Sequence, residues 1–249
     1  MTCVQQRPER EERVQYQVSR VLAGPFLRLL APTEVIGAGH VPASGGAILA
    51  SNHLSVVDSI FLPLMLERPV IFAAKSEYFT GTRLRDRPVA AYLRATNQLS
   101  VDRTGARAGQ DMLEAALALL RQGELFGIYP EGTRSPDGRL YRGRTGVGWL
   151  ALRSGVPVIP VAMIGTERVL PPGHRIPRPG RIQIRIGEPM TFPAYSGQLA
   201  AARQRRAVTD EVVQAIGKLS GQEYVPMYAS VRKEELAAEA AAGDSRHPG

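Results

Sequence analysis

Short apolar runs separated by stretches of helical spacing dominate the middle of the chain, and no other feature constrains its fold as strongly. AILAS (47–51), VIFAAK (70–75), QLSVD (98–102), LFGIYP (125–130) and VPVIPVAMIG (156–165) read as strands, and RIQIRIGEP (181–189) alternates as a half-exposed strand. Between them, helices are predicted from Asp58 to Leu66, from Arg107 to Gln122 with Gly123 in the stop position, from Gly146 to Ser154 and from Ala200 to Leu219. A basic helical stretch is expected from Thr82 to Arg94. Strands that alternate with helices imply a sheet covered on both faces. The expected fold is therefore α/β, a single domain with a largely parallel central sheet.

The 249 residues suffice to bury a full core without covalent staples. Three segments are expected: a polar N-terminus and amphipathic helix over 1–31, a folded domain over 32–225, and a low-complexity tail over 226–249, read as a frayed helix followed by disorder. In the first, Val14, Val18, Val21, Leu22, Phe26, Leu29 and Leu30 share one helix face opposite Arg13 and Arg20, and Gly24-Pro25 is expected to interrupt it. That face suits a membrane surface or a core equally well. The opening MTCVQQRPEREER has charge and no apolar run, unlike a signal peptide.

The longest stretch free of charged residues, Val35 to Val57, is too polar and broken to span a bilayer. Cys3 is the only cysteine, which rules out an intramolecular disulfide or a cysteine-rich metal site, and no metal ligand set is expected. The net charge is +8, carried almost wholly by arginine; the lysines are Lys75, Lys218 and Lys233. Genomic base composition accounts for part of that bias. A planar guanidinium also suits phosphorylated ligands, anionic lipid or nucleic acid.

Three predicted strand ends carry chemistry. NHLSVVDS (52–59) follows AILAS, so His53 lies at the carboxyl edge of the sheet, where open α/β sheets place their ligands. In one continuous helix the five-residue step to Asp58 would turn the carboxylate ~140° away. The segment must turn instead, with a helix starting near Asp58 that Ser55 or Asp58 caps. Asp58 can then hold one ring nitrogen and leave the other free as a base. A loop histidine beside a capping aspartate is the commoner meaning of such a pair taken alone. YPEGTRS (129–135) leaves a second strand and VDRTGAR (101–107) a third; each brings arginine and glycine to the same edge, although either alone also fits a plain surface turn. Together they place a base beside a phosphate site. G-x-S-x-G, the P-loop and G-x-G-x-x-G are absent, so the base activates a substrate hydroxyl directly.

These blocks resemble the glycerolipid acyltransferases, and within them the 1-acylglycerol-3-phosphate (lysophosphatidate) acyltransferases. NHLSVVDS is similar to the family's His-x-x-x-x-Asp block, LSVDR to its second, YPEGTRS to its third and VPVIPVAMIGT to its fourth, in that order over residues 34 to 190. The resemblance implies transfer of a fatty acyl group from acyl-CoA, or from acyl carrier protein, to the free hydroxyl of lysophosphatidate, giving phosphatidate. It implies no cofactor beyond that co-substrate. His53 would be the general base and Asp58 its orienter. Arg103, Glu131, Gly132, Thr133 and Arg134 would shape the acceptor site, and Pro160 would belong to the donor side. Leu99 and Val101 replace bulkier family residues, which leaves chain preference and acceptor identity open. Many relatives carry N-terminal membrane helices, and here there is only the amphipathic one. The implied location is the cytoplasm, attached peripherally to the inner face of the cell membrane.

Two alternatives remain: a different lysolipid or glycolipid acceptor, and a non-catalytic anionic-lipid binder. An esterase using Ser55 or Ser135 lacks a nucleophile elbow, and a nucleic-acid partner is disfavoured by sparse aromatics.

Overall fold

The computed structural model describes residues 9–80, 91–93, 96, 98–101, 107–174, 176–192 and 202–244. Its centre is a seven-stranded sheet of β1 (Thr33–Ile36), β2 (Ala47–Ser51), β3 (Val70–Lys75), β4 (Leu99–Val101), β5 (Leu125–Ile128), β7 (Val158–Ile164) and β8 (Ile182–Ile186), in the order β1-β8-β7-β2-β5-β3-β4. A separate two-residue ladder pairs β6 (Leu140–Tyr141) with β9 (Tyr224–Val225) in parallel. Within the large sheet every pairing is parallel except β7 with β8.

Alternate side chains of the strands enter two separate cores, which is why those strands read as unbroken apolar runs. On one face Leu49, Phe72, Leu125, Ile159 and Val161 pack with Phe61, Leu62 and Met65 of α2 (Asp58–Met65). On the other, Ile48, Ala50, Phe126 and Val158 pack beneath three helices. These are α4 (Ala108–Arg121), α5 (Gly146–Ser154) and α7 (Ala202–Ser220), through residues such as Leu120, Leu150 and Val212. Shorter helices are α3 (Glu77–Thr80) and α6 (Thr166–Val169).

The chain path fixes where a ligand can sit. From β2 it moves outward to β3 and β4, returns to β5 beside β2, and then crosses to β7 on β2's other flank. Strand β2 therefore stands where the winding reverses, the position at which an open α/β sheet opens a crevice at its carboxyl edge.

The N-terminal helix departs from expectation. Helix α1 (Glu9–Leu30) runs without interruption through Pro25, since one missing backbone donor does not end a helix of 22 residues. Its Tyr16 is buried among the carbonyls that close α2, with its hydroxyl donating to Pro63 O and lying near Leu66 O and Arg68 O. Val18, Val21 and Leu29 remain exposed, while the side chains of Val14, Leu22 and Phe26 lie outside the described part. In the segment read as a frayed helix followed by disorder, residues Ala229–Asp244 form a helix, α8. Its alanine- and glutamate-rich sequence has high helix propensity, and Arg232 pairs with Glu235 and Glu239 along it. The basic stretch expected over 82–94 lies mostly outside the described residues.

Candidate active site

The loop after β2 turns sharply before α2, as the pairing of His53 with Asp58 requires. His53 Nδ1 donates to Asp58 Oδ2 at 2.8 Å. The same oxygen accepts the backbone N–H groups of Leu54 and Ser55, each at 2.8 Å, so the carboxylate organises the whole turn. Asp58 is fully buried, while the His53 side chain keeps 16% exposure. Neither Ser55 nor Asp58 caps α2: its N-cap is Val57, without a side-chain bond. Asp58 spends its acceptor on the preceding turn, and the Ser55 hydroxyl donates to Leu170 O at 2.7 Å.

With Nδ1–H committed to Asp58, the lone pair of the neutral ring lies on Nε2, which has no hydrogen bond among the described residues. The ring itself is held from one face. Tyr129 stacks on it with centroids 3.8 Å apart and planes 8° apart, and Phe72 backs Tyr129 at 5.1 Å. Phe72 can lie there because its register partner is Gly127; a Cβ at that position would fall 2.3 Å from the Phe72 ring. The Tyr129 hydroxyl bonds Ser59 Oγ at 2.8 Å, and Tyr92 Oη donates to the Ser59 carbonyl at 3.0 Å.

The turn is also clamped to YPEGTRS. Glu131 Oε1 accepts from His53 N at 3.2 Å, and Ser135 N donates to His53 O at 2.7 Å. Glu131 Oε2 accepts from Tyr141 N at 3.0 Å. Both carboxylate oxygens are thus taken by backbone amides, and the side chain is buried. Glu131 therefore braces the His53 turn against β6. Burial pushes its carboxyl up to about 7, against the stabilising pull of the two amides.

Gly132 has φ of 74°, a left-handed conformation, and a Cβ there would come within 2.9 Å of Arg144 Cδ. Glycine therefore lets an arginine side chain lie against the loop. Thr133 Oγ1 accepts from Lys233 Nζ of α8 at 2.6 Å. Arg134 is half-buried in the same loop and makes no ion pair among the described residues.

Arg103, expected in this group, lies outside the described residues beyond the end of β4. Pro160 is not brought to the site. It is buried in β7 opposite Ala50, about 10 Å short of His53 along the strand direction, with its ring against Gly187 and its carbonyl accepting Gly187 N at 2.8 Å. Pro160 is thus part of the packed sheet.

Several contributors escaped the sequence reading. Asn52 pairs with both backbone groups of Met163, at 2.9 and 2.7 Å, and so ties the turn to β7. Its place beside His53 was the only signal. Tyr129 was visible as the first residue of its block, but its stacking role depends on strand register. Lys233 gave no signal at all.

A family model described as "Acyltransferase" matches residues 32–164, more than half of the chain. The chain is 28% identical over 196 residues to the 1-acyl-sn-glycerol-3-phosphate acyltransferase of Bacillus subtilis (strain 168), covering 78% of this chain and 91% of that protein. It is 30% identical over 161 residues to the chloroplastic 1-acyl-sn-glycerol-3-phosphate acyltransferase BAT2 of Brassica napus, covering 64% of this chain but only 45% of the plant protein. The crystal structure of the 1-acyl-sn-glycerophosphate (LPA) acyltransferase PlsC from Thermotoga maritima shares the fold, with a TM-score of 0.63 and 28% identity over 86% of this chain and 84% of that one.

Proposed function

Because this chain belongs to the acyltransferase family, we propose that it transfers a fatty acyl group from an acyl thioester, acyl-CoA or acyl carrier protein, to the free hydroxyl of lysophosphatidate, forming phosphatidate. The observation that carries this reading is the 2.8 Å bond from His53 Nδ1 to the buried Asp58. It fixes the tautomer that a general base needs and leaves Nε2 without a hydrogen bond among the described residues.

In the proposed step Nε2 removes the proton from the acceptor hydroxyl as its oxygen attacks the thioester carbonyl. A C–O bond forms, the C–S bond breaks, and the imidazolium returns the proton to the leaving thiolate. Asp58 remains ionised and steadies the positive ring through the middle of this sequence. Arg134 is assigned to the acceptor phosphate, which a guanidinium can grip with two parallel N–H groups.

The lipid acceptor calls for a bilayer surface. Among the described residues no helix is long and apolar enough to cross a membrane. The exposed Val18, Val21 and Leu29 of α1 support reversible attachment at the cytoplasmic face. Incubation of the protein with labelled acyl-CoA or acyl carrier protein and a panel of lysolipids tests the whole reading. Phosphatidate as the main product is expected. Acylation of another lysolipid in preference would reassign the acceptor, and lipid binding without any acyl transfer would reject catalysis.

A further inference from the structure

Residues 222–233 wrap the candidate site from outside the segment that the acyltransferase family model matches. Gln222 accepts from Asn52 Nδ2 at 2.7 Å and donates to Gly138 O at 2.6 Å, which fastens the arm to both active-site loops. The β6–β9 ladder continues the attachment, and Arg142 N donates to Met227 O at 3.0 Å. The guanidinium carbons of Arg142 and Arg144 then lie 5.6 and 5.3 Å from the centre of the Tyr228 ring, and Arg144 reaches Ser230 Oγ at 3.3 Å. Helix α8 begins immediately after, and its Lys233 meets Thr133.

The arm thus adds a cation to a place already rich in them. Arg144 lies against Gly132, Lys233 bonds Thr133 and Arg134 follows in the same loop, while Arg142 shares the Tyr228 ring with Arg144; none of the four forms an ion pair with a carboxylate among the described residues. The acid that acts on Lys233 is Glu131, whose two oxygens already serve backbone amides. Burial, followed by the Arg134 guanidinium, holds the Lys233 ammonium below its ordinary value, with Glu131 opposing weakly. The ammonium has three N–H donors and Thr133 takes one. Like charges gathered without counterions stabilise an arriving anion, and the tetrahedral oxygens of a phosphate match several donors at once.

We propose that Lys233 is a phosphate-binding residue of this site, delivered by the C-terminal arm, and that it takes a phosphate group carried by one of the two substrates. The identity of those substrates rests on the acyltransferase reading; the anion site does not. Two sources share the chemistry, the headgroup of the acceptor and the nucleotide end of acyl-CoA.

Calorimetric titration of the full chain with glycerol 3-phosphate and with coenzyme A separates them, alongside KM for lysophosphatidate and for acyl-CoA. Lys233→Ala should weaken one ligand about tenfold, the usual loss for one charge-assisted hydrogen bond at a half-exposed site. The matching KM should rise by a similar factor with kcat nearly unchanged, and Lys233→Arg should restore most of the affinity. Loss for glycerol 3-phosphate assigns Lys233 to the acceptor, and loss for coenzyme A assigns it to the donor. Lys233→Gln, which keeps a donor to Thr133 without the charge, should show the same loss should the alanine variant prove unstable. Unchanged binding of both ligands overturns the proposal. So does an equal rise in KM for the phosphate-free counterparts, monoacylglycerol and acyl-pantetheine, since that would make Lys233 a strut for the loop. Wild-type protein that transfers no acyl group, yet loses phosphate binding on Lys233→Ala, would reject the proposed reaction and leave this site standing.

Discussion

His53 and Tyr129 lie face to face, 3.8 Å between centroids and 8° from parallel, although they follow different strands. The stack covers one face of the imidazole and opposes rotation out of the Asp58 bond. Tyr129→Phe keeps the ring and gives up only the Ser59 bond, so kcat should stay near wild type. Tyr129→Leu should lower kcat by roughly threefold to tenfold, the worth of an aromatic pair. Steady-state kinetics of both variants decide this; equal loss in both would show that the hydroxyl matters and the stack does not.

Replacing His53 with alanine should reduce kcat by about 10²–10⁴, as expected for a positioned general base. Asp58→Asn should be milder, because an amide oxygen in the place of Oδ2 still accepts from His53, Leu54 and Ser55. Asp58→Ala removes that acceptor from a buried turn and should destabilise the fold by about 1–3 kcal/mol per stranded donor. Denaturation midpoints and single-turnover rates together separate the catalytic loss from the structural one.

Glu131 predicts a pH effect on stability. Its carboxyl is raised by burial to about 7 from an ordinary 4.5, so the folded state binds its proton more tightly than the unfolded state does. The resulting stabilisation is fully present below pH 4.5 and is lost as pH rises through 7. By linkage its size is of order 3 kcal/mol. Chemical denaturation at pH 5 and pH 7.5 should show a fall that is much reduced in Glu131→Gln. The glutamine also turns an N–H₂ toward one backbone N–H, so the variant should be less stable than wild type at pH 5. An undiminished pH slope in the variant would assign the effect to another group.

Arg134→Lys keeps the charge but not the fork, and should raise KM for lysophosphatidate about tenfold. Monoacylglycerol, which has no phosphate, should be used as well by the variant as by wild type. A parallel loss on both acceptors would place Arg134 away from the headgroup.

Attachment to membranes is best tested on the exposed face of α1. Deleting the helix would also remove buried Tyr16 and its contacts with the end of α2, so loss of folding would obscure the result. The triple replacement of Val18, Val21 and Leu29 by serine leaves that contact intact. Flotation with anionic liposomes should fall with the melting temperature unchanged, and high salt should weaken wild-type binding without abolishing it. Undiminished flotation of the triple variant would exclude this face as the anchor.

The central strands were legible because burial on both faces writes itself as uninterrupted Ala, Val, Ile and Leu, as in AILAS and VPVIPVAMIG. Strand β1 was missed: TEVI is four residues long and pairs on one side only, with half its side chains exposed. In the site, His53 and Asp58 were readable because a turn between two recognisable elements brings near neighbours together. Glu131 was found but its bracing bonds were not, since its partner Tyr141 N is set by a two-residue ladder too short to leave a pattern. Helix α8 was read only as a frayed helix within a low-complexity tail because EELAAEAAAG has helix formers but no apolar stripe, and what holds its start is contact with Arg142 and Arg144.

Thr133 and Lys233 stand 100 positions apart in the chain. During synthesis His53, Asp58 and the glycine-bearing loop are all made while the residue that completes their cationic rim is still untranslated. Closing so long a loop adds little to the equilibrium cost, because that cost grows only with the logarithm of length. Its effect is on timing: distant contacts form slowly compared with local ones. A nascent protein of this sequence thus carries His53 and Asp58 well before Lys233. Trimming the gene ahead of codon 222 would reproduce that early stage as a permanent one, with the last cation never delivered.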